Sequence, residues 1–86
     1  MQTQFLQYRI IITPDMQTGT KQVVYTAFCP LLGVADDGGT IEEALKNIQG
    51  AIEAYIESLV EDGEAIPIDH PENDIVTTAK IKAPLS

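Results

Sequence analysis

Positive charge is scarce in this sequence: 5 Lys and Arg stand against 13 Asp and Glu, for a formal net charge of −8. A protein that binds DNA or RNA must neutralise phosphates with clustered cations. Arg9, Lys21, Lys46, Lys80 and Lys82 are too few and too scattered for such a patch, so direct binding to nucleic acid is not expected. A basic partner is expected instead, because opposite potentials speed encounter and select partners. Cysteine is nearly absent too. The lone Cys29 excludes an internal disulfide framework and fits a reducing cytoplasm. With a single histidine, His70, the chain cannot complete a zinc site by itself, and no metal or other cofactor is expected. No apolar run approaches membrane-spanning length. The start, MQTQFLQYRI, lacks a basic segment followed by an apolar core. A soluble cytoplasmic protein without a membrane role is the expectation.

What remains is enough for one small domain over 1–86, with a core of about 4–82. A chain of 86 residues buries roughly 60–65% of its unfolded surface on folding, so self-association is a natural source of further burial. Residues 5–13, FLQYRIIIT, alternate, with Leu6, Tyr8, Ile10 and Ile12 on one face. The segment PDMQTGT carries turn chemistry in Pro14, Asp15 and Gly19. Residues 21–29 alternate again, with Val23, Tyr25, Ala27 and Cys29 together, so a hairpin is predicted. A brief third strand is expected near Leu32 to Ala35.

The period changes after Gly39. Ile41, Ala44, Leu45, Ile48, Ile52, Tyr55, Ile56 and Leu59 recur at spacings of three and four, the apolar stripe of an amphipathic helix. Thr40 and Glu43 make a capping box, and Gly63 is placed as the left-handed C-terminal cap. Gly50, inside the helix, marks either a close backbone approach or a tolerated glycine. After the Pro-rich connector AIPIDHPEND, residues 75–82 alternate once more and predict a final strand. The expected fold is α+β: a small antiparallel sheet with one long helix on one face, in the order β-β-β-α-β.

Few residues carry chemistry. Asp36-Asp37-Gly38-Gly39 fails as a calcium loop, because the third, fifth and twelfth positions from Asp36 are Gly38, Thr40 and Asn47. Two carboxylates would also repel a phosphate, so a turn leading into a capped helix is expected there. Cys29 and His70 lack a third catalytic member and an oxyanion site, and no enzymatic activity is expected. Glu53, Glu57 and Glu61 lie four apart and form an acidic ridge. That ridge is either a solvated face or a landing surface for a basic partner. With Asp37, these are the candidate partner-binding residues.

Phe28-Cys29-Pro30, Leu32-Gly33, Gly38-x-Thr40-x-x-Glu43-Ala44-Leu45 and Glu61-Asp62-Gly63-Glu64-x-Ile66-Pro67 resemble, in order and spacing, the N-terminal domain of HicB-family antitoxins. The resemblance runs from about Tyr25 to Pro67. It implies a partial ribonuclease-H-like fold and a role in binding and inhibiting a small basic HicA-type toxin that cleaves mRNA. It does not imply a nuclease, since FLQYRIIIT lacks the first-strand carboxylate a two-metal site needs. Nor do the 75–82 alternation and its short flanks read as the C-terminal DNA-binding domain that such antitoxins commonly carry. The alternative is a non-catalytic homo-oligomeric module, a dimer first, with Phe5, Ile11 and Phe28 left on the sheet's uncovered face.

Overall fold

The computed structural model describes residues 4–16, 19 and 22–84. Among them, three strands form one antiparallel sheet in the order β1-β2-β3: β1 is Ile11–Met16, β2 is Val23–Cys29 and β3 is Val34–Gly38. One helix, α1, Ile41–Glu61, lies across one face. The register sets which side chains meet it. Ile12 opposes Ala27, which opposes Asp36, and Cys29 opposes Val34. Side chains alternate along a strand, so these rows share the helix-facing side. Ala27 and Cys29 are completely buried there with Ala44 and Ile48, and Ile52 completes the cluster. Tyr8, Ile10, Ile12, Tyr25, Leu32, Val34 and Ile56 pack around it. Of the faces assigned from alternation, Tyr8, Ile10 and Ile12 and Tyr25, Ala27 and Cys29 meet the core as expected, whereas Val23 is exposed.

The sheet departs from the sequence reading at its margins. β1 begins at Ile11 and runs through Pro14 and Asp15, residues whose chemistry suggested a turn. β1 is an edge strand, and proline is accommodated on an edge where the missing N–H would face away from the neighbouring strand. The rest of the expected loop, around 17, 18, 20 and 21, lies outside the described residues. β3 runs to Gly38, so Asp36 and Asp37 are strand residues rather than turn residues. Gly33, at φ 69°, closes the turn before it, and its N–H donates to the Cys29 carbonyl at 2.9 Å. The largest difference is at the far end. Residues 75–84 form no strand or helix, and their side chains are exposed. Alternation there signals a capacity to pair, and no described strand of the same chain is paired with it.

The helix ends follow the sequence closely. The Thr40 hydroxyl accepts from the Glu43 N–H at 3.0 Å. Glu43 reaches back to the Gly39 N–H at 3.4 Å rather than to Thr40. At the other end, Gly63 adopts φ 71°. Its N–H donates to the Val60 carbonyl at 3.1 Å and the Glu64 N–H to the Leu59 carbonyl at 2.8 Å, which is a Schellman closure. A Cβ at Gly50 would meet nothing within 4 Å, so that glycine is tolerated and marks no close approach. Gly38 is the position where backbones come together.

The chain after the helix is tied back to the segment before β1. The Tyr8 hydroxyl donates to the Pro67 carbonyl at 2.7 Å and the Arg9 N–H to Asp69 Oδ2 at 2.8 Å. The Arg9 guanidinium pairs with Asp74. Burial, with the negative surroundings of Cys29 and Asp69, raises the Tyr8 phenol above its ordinary value of 10.0. The folded state therefore holds this proton more tightly than the unfolded chain does. The stabilisation is complete below the unfolded value and is lost as pH rises through the folded one. Tyr8→Phe is expected to cost about 1 kcal/mol at neutral pH and to flatten the fall in stability above about pH 10. Denaturant titrations of both proteins across that range test the expectation, and parallel curves would contradict it.

Candidate functional site

The helix is longer than its sheet. Twenty-one residues extend about 31 Å, whereas the seven of β2 cover about 24 Å. Part of the apolar stripe is consequently left uncovered by the strands. Leu45 and Tyr55 remain exposed although their spacing marks them for the core. Leu45, Ile52 and Ile56 instead form one wall of an open groove, and the other wall comes from Phe5, Leu6 and Ile10 before β1. Ile66 and Pro71, after the helix, also line it.

The structure divides the candidate residues into two places. Glu53 and Glu57 line this groove beside the apolar side chains of α1, with Glu72 nearby on its edge. Glu61 is exposed in the last helical turn, beyond the groove residues. Asp37 lies elsewhere, at the end of β3 near the start of the helix. Its carbonyl accepts from the Asn47 side-chain amide at 2.9 Å and its N–H donates to Asp36 Oδ1 at 2.9 Å. Both bonds use the Asp37 backbone, and its exposed side chain lies apart from the acidic ridge.

The ridge is locally unfavourable. Like charges four apart repel along a helix, and a helix C-terminus disfavours anions. The last turn of α1 holds no basic residue to offset them. Cys29 is sealed in the core, whereas His70 is exposed and lies 3.6 Å from Glu72. Among the described residues, no cluster of His, Cys, Asp and Glu could hold a metal ion, and no helix is long and apolar enough to cross a membrane.

The groove and the Arg9 clasp could not be read from the sequence, because both join segments far apart in the chain. Arg9 and Asp69 are separated by 60 positions, and local periodicity carries no signal at that range. The one available hint was Leu45 and Tyr55 widening the helical stripe beyond what a short sheet covers.

No family model and no solved structure matches the chain. Two curated proteins are similar to it. The UPF0150 protein ssr1765 of Synechocystis is 40% identical over 65 residues, covering 74% of this chain and 76% of its own length. The UPF0150 protein Ta0767 of Thermoplasma acidophilum is 43% identical over 68 residues, covering 78% of this chain and 91% of its own. At that identity and coverage, the chain belongs to the UPF0150 family.

Proposed function

We propose that this protein is an antitoxin-like binding protein that masks a small basic ribonuclease of the HicA type. The observation that carries the reading is the acidic ridge. Glu53, Glu57 and Glu61 are exposed on one helix, and the first two border an apolar groove. Such a surface joins long-range attraction for a cationic partner to a dry contact region once the partner arrives. The net charge of −8 adds to the same field. The HicB-like motifs support the reading at the level of architecture. Phe28-Cys29-Pro30 ends β2, Leu32-Gly33 turns the chain into β3, and Gly63 closes the helix.

The test is to read the adjacent reading frame, where a small basic protein with a single prominent histidine is expected, and to co-express that protein with this one. The expected result is restored growth and protection of cellular RNA from cleavage. Continued RNA cleavage with both proteins folded would refute the proposal.

A further inference from the structure

The segment from Ile75 to Pro84 makes no sheet or helix, and its apolar residues face water: Ile75 is 91% exposed, Val76 81% and Ile81 78%. The radius of gyration, 16.8 Å, exceeds the roughly 12 Å of a compact chain of this length, as expected when a segment projects from the body. The segment's charges are Lys80 and Lys82 alone, and all 13 acidic residues lie outside it. It is a basic, apolar arm on an acidic body. The groove is its complement. It is walled by Phe5, Leu45, Ile52 and Ile56, and the ionisable residues lining it besides Tyr8 are Glu53, Glu57 and Glu72. At about 1390 Å³ it exceeds the roughly 300–1,000 Å³ of small-molecule sites and suits a stretch of chain.

We infer that the arm of a second copy of this chain lies in the groove, with Ile75, Val76 and Ile81 on its apolar walls and Lys80 and Lys82 on Glu53 and Glu57. Lengths agree. The helix face from Leu45 to Glu57 is about 18 Å long, and an extended segment from Ile75 to Lys82 reaches about 23 Å. The root of the arm is already fixed at the groove's end, since Pro71 and Glu72 line it and Arg9 holds Asp74. Two copies can therefore exchange arms about a two-fold axis, each contact occurring twice. A second copy is the occupant because the arm's own groove leaves it exposed, and because two acidic bodies associate only where their charges are offset. The lysines supply that offset.

The sheet edges are poorer sites for the arm. On β1, Pro14 removes a donor. On β3, the Asp37 N–H and carbonyl are occupied by Asp36 and Asn47. This inference does not depend on the proposed partner, although a basic partner and the arm would compete for Glu53 and Glu57.

The experiment is sedimentation of the full chain with a charge-swap set. The wild type is expected to be a dimer at micromolar concentration. Lys80→Glu with Lys82→Glu should weaken dimerisation by at least about 10-fold, and adding Glu53→Lys with Glu57→Lys should restore it. Helical circular dichroism confirms that each variant is folded. In parallel, an Ile81→Cys protein is mixed with a Gln49→Cys protein and oxidised, Cys29 being buried. A disulfide-linked heterodimer is expected. A monomeric wild type, a charge swap without rescue, or the absence of the disulfide-linked heterodimer would overturn the inference.

Discussion

Gly38→Ala is expected to lower the stability of this protein by about 3 kcal/mol, at the upper end of ordinary overpacking costs. A Cβ at Gly38 would stand 2.5 Å from the Ala44 nitrogen, 2.9 Å from the Glu43 carbonyl carbon and 3.0 Å from the Ala44 Cα. All three are backbone atoms in the first turns of α1, so no side-chain rotation relieves the clash. Either the helix lifts off the sheet or β3 bends. Both movements disturb Ala44 and Ile48, which are completely buried. In a domain of this size, such a loss corresponds to a fall in Tm of roughly 12–24 °C. Gly33→Ala is the control. Its φ of 69° strains an alanine, but open space surrounds it, and a cost of about 1–2 kcal/mol follows from backbone alone. Thermal unfolding at one fixed protein concentration separates the two, since association makes Tm concentration-dependent. Equal effects at both positions would show that the close approach at Gly38 is not what the glycine serves.

How legible these features were depends on their range. The helix was readable because its stripe, Thr40 cap and Gly63 closure are all local. β2 was readable because Tyr25, Ala27 and Cys29 alternate into the core. The position of β1 was not, because Pro14 and Asp15 have turn chemistry and only their place on a sheet edge makes them acceptable in a strand. The expected last strand shows the limit of alternation as a signal. Ile75, Thr77, Ala79 and Ile81 report a propensity, but pairing requires a partner strand that local sequence does not specify. Of the candidate site, the acidic ridge was visible in the spacing of Glu53, Glu57 and Glu61. The groove beside it was not, since it is assembled from both sides of the helix in sequence.

Replacing Glu53, Glu57 and Glu61 together with lysine is expected to abolish protection against the basic partner while leaving the fold intact. None of the three is buried, so the core is untouched, and a lysine at position 61, in the last helical turn, suits the helix dipole better than a glutamate does. At a protein concentration low enough to keep both proteins monomeric, Tm should therefore hold steady or rise. Association should slow by at least about 10-fold at low salt, because the reversal removes the attraction that steers encounter and replaces it with local repulsion. The remaining rate should also depend less on salt, since screening then has less attraction to suppress. Stability rising while binding falls is the pattern of a surface kept acidic for a partner rather than for the fold. Stopped-flow association across a salt series, paired with thermal unfolding, reads both quantities. If the rates and their salt dependence match those of the unsubstituted protein, the ridge is a solvated helix face and the partner binds elsewhere.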